Sequence, residues 1–159
     1  MAETQTARSD SVSVGLAPDN GAVLKHMDMY QGIITRMASN SASCKKWGIP
    51  LISAMLGFIV SDQIVSAQKE ALVLLALFPI GIFYFLDSYY LMLENRFREG
   101  FNDSAKAIRS GTFKQSNLFK MHPKGSEAGY WLKSLTSFAT WPVYLGLLAL
   151  LVFCYKVVA

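Results

Sequence analysis

The fold is decided by residues 134–155, SLTSFATWPVYLGLLALLVFCY, which carry no charged side chain. Lys133 and Lys156 stand directly outside this stretch. A helix needs about 20 predominantly apolar residues to cross the hydrocarbon core of a bilayer, which is roughly 30 Å thick. The segment 131–156 is therefore predicted to be a transmembrane helix.

Two further segments have the composition of membrane spans. Residues 47–61, WGIPLISAMLGFIVS, carry no charge but cover only about 22 Å as a helix. Either Lys45 and Lys46 extend towards the headgroups, or Asp62 lies at the far interface with Ile64 and Val65 beyond it, and we assign the span to 45–66. The span over 71–93 carries a single charge, Asp87. The sequence thus predicts an all-α polytopic membrane protein with three transmembrane helices and a cytosolic helical layer.

The composition of the whole chain agrees with this fold class. Of 159 residues, 52% are hydrophobic and only 16% are charged, whereas soluble domains carry about 25% charged residues. A disordered chain would need more charge and fewer apolar residues. A disulfide scaffold would need more than the two cysteines present.

The positive charges alternate between the predicted loops. Lys and Arg number five up to residue 46, one over 62–70, eight over 94–133 and one after 155. Cytoplasmic loops carry the excess of Lys and Arg in membrane proteins. We therefore expect the N-terminus in the cytoplasm and the C-terminus outside, and we assign the net charge of +4 to topology and lipid contact, with no nucleic acid as a partner.

The polar parts of the chain are predicted to form the cytosolic layer. Residues 1–21 are polar and indicate a disordered tail. Residues 22–40 have helical spacing and predict an amphipathic helix that ends at the turn-favouring run 39–43. We expect the second span to continue to about residue 110 as a stalk, and a loop to follow over 111–130.

Apolar side chains form matching stripes on the amphipathic helix and the stalk. The first stripe contains Tyr30, Ile33, Ile34 and Met37, and the second contains Phe97 and Phe101. Because exposed apolar stripes need cover, we expect the two helices to pack together. The same six residues are the candidate surface for a cytosolic protein partner.

Nothing in the sequence has the spacing of a catalytic or metal site. His26 and His122 are the two histidines, and neither has a carboxylate or cysteine at ligand spacing. Cys44 and Cys154 fall at opposite membrane faces in the predicted topology, too far apart for a disulfide. We therefore expect a non-enzymatic protein with no catalytic residue, no metal and no cofactor.

Asp87 is the most informative single residue, because a carboxylate within an apolar run is costly in a bilayer. One interpretation is an interfacial acid, hydrogen-bonded to a tyrosine or paired with Lys45 or Lys46. The alternative is a gating or ion-path carboxylate that faces a subunit interface.

Ser53, Gly57 and Ser61 form a small-residue stripe at four-residue spacing in the first span. Small residues at this spacing let two helices approach closely. The stripe either packs against another helix of the same chain or mediates self-association, and the sequence leaves both interpretations open.

Two segments carry a resemblance to known proteins. Residues 31–47, QGIITRMASNSASCKKW, and 85–98, with FLDSYY followed by Glu94, Arg96, Phe97 and Arg98, resemble small bacterial membrane proteins. In outline these are similar to the SLATT-type and CRISPR-associated membrane proteins of antiviral defence loci. The resemblance implies a bacterial inner-membrane protein that perturbs the membrane when a partner signals infection.

We therefore expect a small inner-membrane protein that forms a homo-oligomer in the lipid bilayer and alters its permeability, as an effector of antiviral defence. The alternative is a membrane scaffold or accessory subunit that recruits a cytosolic protein through its helical layer.

Overall fold

The computed structural model describes residues 19–61 and 66–158, and every regular element within these ranges is helical. Two long helices, α1 (Asn20–Val60) and α2 (Ser66–Arg109), come first. A single 3₁₀ turn at Gln115–Asn117 precedes α3 (Glu127–Leu135) and α4 (Trp141–Val158). The predicted all-α class is confirmed. The predicted N-terminal tail lies outside the described residues apart from its last three positions, of which Asn20 and Gly21 begin α1.

Helices α1 and α2 form an antiparallel hairpin. Near the start of α1, Tyr30 contacts the ring of Phe101, whereas further along α1 Gly48 lies against the ring of Phe83. With about 1.5 Å per residue, the two helices are roughly 62 and 66 Å long, about twice the hydrocarbon thickness of a bilayer. The hairpin is therefore long enough to lie half inside and half outside a membrane.

The hairpin has two halves of different character. The apolar half comprises residues 47–60 of α1, residues 70–86 of α2, and α4. Its core lies where the three helices meet and consists of Ile52, Leu56, Ile59, Ala76, Ile80, Tyr144, Leu147 and Leu151. The outward surface of this half is apolar as well, and Trp47, Leu74 and Phe78 are each 68% exposed. Such a surface suits contact with lipid.

The polar half comprises residues 20–46 of α1, residues 87–109 of α2, the segment 110–126 and α3. Residues 110–126, here called the strap, cross this half. The strap is fastened to α1 by the N–H of Phe119, which donates to Nδ1 of His26 at 3.0 Å. It is fastened to α2 by Arg96, whose Nε donates to the carbonyl oxygen of Lys124 at 3.1 Å. Phe113 of the strap is buried.

By length and composition, α1 and α2 each contain a stretch that could cross a membrane. The apolar stretch of α4, Trp141–Val157, is shorter. The structure thus provides two candidate membrane-spanning helices among the described residues, and these are consistent with association with a membrane.

The predicted helix end at residues 39–43 is wrong, because α1 passes through this run without a break. Ser43 Oγ donates to the carbonyl oxygen of Ser39, one turn earlier, at 2.8 Å. Ser41 Oγ donates to Asp87 of α2. Hydroxyl groups that favour turns in isolation are here bonded within and between helices, so tertiary packing overrides the local preference.

The predicted single helix over 131–156 consists of two helices, α3 and α4, separated by residues 136–140. Pro142 explains the break, because in a continuous helix its ring would meet the carbonyl group of Phe138 and it has no N–H to donate. The chain turns instead. The N–H of Ser137 donates to the oxygen of Ser134, and the N–H of Thr140 donates to the oxygen of Ser137.

Candidate functional site

A buried ion pair lies where the two halves of the hairpin meet. Asp87 of α2 is fully buried. Its Oδ1 accepts a hydrogen bond from Ser41 Oγ at 2.5 Å, and its Oδ2 lies 2.5 Å from Nζ of Lys45. Ser41 and Lys45 are one turn apart on α1, so both side chains project from the same face of the helix. Lys45 is one of the two lysines that the sequence suggests as partners for an interfacial Asp87.

The two charges of this pair differ in their access to water. The side chain of Lys45 is 23% exposed, whereas that of Asp87 is not exposed at all. Removing a carboxylate from water costs several kcal/mol unless an opposite charge and hydrogen bonds compensate. Lys45 supplies the charge and Ser41 supplies the hydrogen bond. Asp87 therefore depends on both residues of α1, and it does not lie on the outer surface of the chain.

Three fully buried hydroxyl groups mark a polar seam between α2, α3 and α4. They belong to Ser88, Ser134 and Thr140, and they have no hydrogen-bond partner among the described residues. Two tyrosines bond across the same helices: Tyr84 donates to the carbonyl oxygen of Leu135 at 2.9 Å, and Tyr144 donates to that of Phe83 at 3.1 Å. An unpaired buried hydroxyl costs about 1–3 kcal/mol. The interior beside the ion pair is therefore not an ordinary apolar core.

The three tryptophans of the chain lie close to the level of the ion pair. Trp47 follows Lys45 by two residues, and Trp131 packs edge-to-face against Phe85 at 4.8 Å between ring centroids. Trp141 is the first residue of α4. Tryptophan is enriched at the boundary between lipid and water. Tryptophans on both sides of an ion pair are typical of a helix segment at such a boundary.

The small-residue stripe faces away from the other helices of the chain. Ser53 and Gly57 are exposed, and a Cβ atom built on Gly57 would meet no atom within 4 Å. Ser61 is half-buried at the C-cap of α1. The core side of this part of α1 is formed by other residues, among them Ile52 and Leu56. Packing of Ser53 and Gly57 against another described helix, one of the two interpretations of the stripe, is therefore not seen in ranges 19–61 and 66–158.

The six residues assigned to a cytosolic partner surface are not exposed. Tyr30 and Ile34 are buried, and Ile33, Met37, Phe97 and Phe101 are half-buried. The hairpin encloses Tyr30 and Ile34, although Ile34 and Phe101 line a groove between α1 and α2, and the assignment of a partner surface stays a prediction. The predicted packing of the two stripes explains this result, since Tyr30 and Phe101 lie on different helices and their ring centroids are 6.5 Å apart.

His26 is a buried residue of the polar half, for which the sequence predicts no catalytic or metal-binding role. It is 1% exposed, and its ring contacts those of Tyr30, Phe113 and Phe119. Burial lowers the pKa of His26 below its ordinary value. The signal that could have identified it is spacing, because His26 precedes Tyr30 and Ile34 at four-residue intervals on one face of α1.

The described residues bring no three His, Cys, Asp or Glu side chains together as a candidate metal site. No protein family, curated protein or solved structure is detectably similar to the chain. Functional inference therefore depends on the chemistry of the ion pair, the polar seam and the exposed surfaces.

Proposed function

We propose that this chain is an integral protein of the bacterial inner membrane that has no enzymatic activity, self-associates and alters the permeability of the membrane. In this proposal the apolar half crosses the bilayer three times, through α1, α2 and α4. The polar half lies in the cytoplasm together with the N-terminus, and the C-terminus lies outside, as the distribution of Lys and Arg indicates.

The length and surface of α4 support a third crossing. Its 18 residues extend over about 27 Å, close to the roughly 30 Å of the hydrocarbon core. Only Lys156 is charged within it. Leu145 and Phe153 are more than half exposed, which is favourable in lipid and costly in water.

The observation that carries the proposal is the outward position of Ser53 and Gly57. The fold leaves this close-approach surface unused, and a second copy of α1 is a natural partner for it in a membrane. The unpartnered hydroxyls of Ser88, Ser134 and Thr140 lie between the helices, and in this proposal they are the polar groups by which an assembly weakens the apolar barrier. The resemblance to defence-associated membrane proteins suggests infection as the trigger.

The scaffold alternative has less support. The apolar residues predicted to bind a cytosolic partner are buried or half-buried within the chain itself. What remains open to a partner there is a groove of about 340 Å³ between α1 and α2, which Ile34 and Phe101 help to line.

The experiment is induced expression in bacteria, with membrane potential followed by a fluorescent dye and assembly followed by cross-linking in membranes. We expect the natural chain to form oligomers and to depolarise the cells, alone or on phage infection. Gly57→Leu should reduce both effects, because it adds bulk at the close-approach surface. Leu51→Phe is the matched control, since it adds bulk at an exposed position elsewhere on α1 and should change neither.

If potential and growth are unaffected with and without infection, the permeability proposal fails. If cross-linking shows only monomers while depolarisation persists, self-association fails and the permeability change must arise from the single subunit.

A further inference from the structure

A cavity of about 250 Å³ lies in the polar half between α1, α2 and the strap. Tyr30 of α1 and Asp103 of α2 line it from one side, and Asn117, Lys120 and Lys124 line it from the strap. Tyr30 precedes Lys45 by 15 residues, which places the cavity about 22 Å along α1 from the ion pair. Neither the membrane crossing nor the ion pair explains this cavity.

The hydroxyl group of Tyr30 is a hydrogen-bonding group in the cavity wall. Tyr30 is 3% exposed, and its Oη has no hydrogen-bond partner among the residues that the structure describes. Gly100 makes this position possible, because a Cβ atom there would lie 3.0 Å from Tyr30 Oη. The Oη atom is not among the fully buried atoms that lack a partner, so it opens onto the cavity and is available to a molecule there.

Two lysines line the cavity, and one of them is paired with a carboxylate. Lys124 Nζ pairs with Asp103 Oδ2 at 2.7 Å, and this hydrogen bond raises the pKa of Lys124. Lys120 forms no ion pair with any described residue. The Tyr30 hydroxyl, the two lysines and the amide of Asn117 together present mainly hydrogen-bond donors. Such a set of groups favours an anion.

We infer that this cavity binds a compact, water-soluble anion that carries a phosphate or carboxylate group, with Tyr30 and Lys120 as its principal ligands. A carboxylate or phosphate oxygen accepts the hydrogen bond of the phenol and pairs with the free ammonium group. The cavity is smaller than the 300–1,000 Å³ that is usual for drug-sized ligands, so the anion is small. The apolar wall formed by Phe113 accommodates an organic group beside the charge.

A lipid headgroup is a poorer occupant than a soluble anion. The headgroup layer extends only about 5–8 Å beyond the hydrocarbon core on each side. The tryptophans and the ion pair mark the boundary, and the cavity lies about 22 Å further along the helices. The bound anion would contact α1, α2 and the strap at once, and would therefore stabilise the polar half. This inference does not depend on whether the protein alters permeability.

The test uses the full chain in a mild detergent, with phenyl phosphate and benzoate as anionic probes and phenol as the uncharged control. Binding is measured by calorimetry and by the shift in the melting temperature. We expect saturable binding of the anions and none of phenol. Tyr30→Phe and Lys120→Gln should each weaken the binding constant by about tenfold, whereas Lys114→Gln, which removes the same charge from a strap residue outside the cavity wall, should not.

Tyr30→Phe also separates ligand binding from a structural role. Because the hydroxyl has no partner, its removal should leave the melting temperature without probe unchanged or slightly higher. The inference is overturned if phenol binds as well as phenyl phosphate, or if neither Tyr30→Phe nor Lys120→Gln weakens binding. It is also overturned if only nanodiscs containing phosphatidylglycerol stabilise the polar half and the soluble probes do not.

Discussion

At the scale of single residues, the contact between Lys45 and Asp87 joins α1 to α2 where the apolar half meets the polar half. The carboxylate has no access to water; Ser41 and Lys45 of α1 bond to it, and Tyr144 of α4 lies close to it as well. Breaking a buried pair by removing one partner is costly because the remaining charge stays buried. The cost should therefore depend on which partner is removed.

We predict that Lys45→Met destabilises the protein more than Asp87→Asn. Lys45→Met leaves the carboxylate buried without a counter-charge and should cost about 3 kcal/mol. Asp87→Asn keeps an acceptor for Ser41 and leaves Lys45, which is partly exposed, able to reach solvent. The measurement is thermal unfolding in detergent, with Lys46→Met as the control at an exposed neighbour.

The double variant Lys45→Met, Asp87→Asn should be more stable than Lys45→Met alone, because the buried charge is gone. Equal stability of Lys45→Met and the natural chain would show that the carboxylate is compensated by other groups.

His26 makes the polar half sensitive to acid. Its Nδ1 accepts a hydrogen bond from the N–H of Phe119, so the ring must be neutral at this atom. Since burial lowers its pKa, the unfolded chain takes up the proton first as the pH falls through about 6.5. The stability that the neutral ring contributes is therefore present above this pH and is lost as the pH falls towards the lower pKa of the folded state.

We predict that the melting temperature falls between about pH 7.5 and pH 5.5 and that His26→Asn reduces this fall. Asparagine keeps a hydrogen-bond acceptor but does not titrate. His122→Asn is the control, because His122 is exposed. An identical fall in the His26→Asn variant and the natural chain would assign the acid sensitivity to other groups.

At the scale of elements, two glycines set the distance between the long helices. Gly48 lies against the ring of Phe83, with 3.1 Å from a built Cβ atom, and Gly100 lies against Tyr30 and the carbonyl oxygen of His122. Glycine is unfavourable within a helix, so each costs about 1 kcal/mol of helix propensity. The glycines let α1 and α2 approach each other closely, and the packing gained in this way offsets the loss of helix propensity.

We predict that Gly100→Ala destabilises the protein although alanine is the better helix former. The new methyl group would lie 3.0 Å from Tyr30 Oη and 3.3 Å from the backbone oxygen of His122, and the strap would have to shift. Gly32→Ala is the matched control in the polar half of α1, since nothing lies within 4 Å of its Cβ position. It should stabilise the protein by up to about 1 kcal/mol. The melting temperatures of both variants are measured by thermal unfolding. A higher melting temperature for Gly100→Ala than for the natural chain would contradict the prediction.

At the scale of the whole molecule, continuous helices join the polar half to the apolar half. No break interrupts α1 or α2 between the cavity and the ion pair, although Pro50 and Pro79 lie further along these helices. A movement of α1 or α2 at the strap would therefore also displace the residues of the ion pair, because each helix is continuous between the two sites. In the proposed membrane arrangement, the number of crossings, two or three, depends on α4.

We predict that the C-terminus lies on the opposite side of the membrane from the strap. Alkaline phosphatase fused after residue 158 should be active, and a green fluorescent protein fused there should remain dark. The same fusions placed within the strap should give the reverse result. Fluorescence at both positions would mean that α4 does not cross and that the protein has two spans.

Much of the architecture could be predicted from the order of residues. The uncharged runs predict long apolar helices, because backbone groups in lipid must be bonded within their own segment. The stripe from Tyr30 to Met37 and the residues Phe97 and Phe101 predict that α1 and α2 contact each other. Lys45 was within the set of partners expected for Asp87. These inferences use spacing along the chain, because residues three or four positions apart lie on the same face of a helix.

By itself, then, the sequence determined the helical class, the apolar and polar halves and the charge asymmetry between them. The tertiary structure alone decided that α1 continues through residues 39–43, that Ser53 and Gly57 face outward, and that His26 is buried. It also placed Tyr30 of α1 and Lys120 of the strap in the wall of one cavity. The physical reason is that these features depend on contacts between residues far apart in the chain, where packing and hydrogen bonding outweigh the local preferences that a sequence displays.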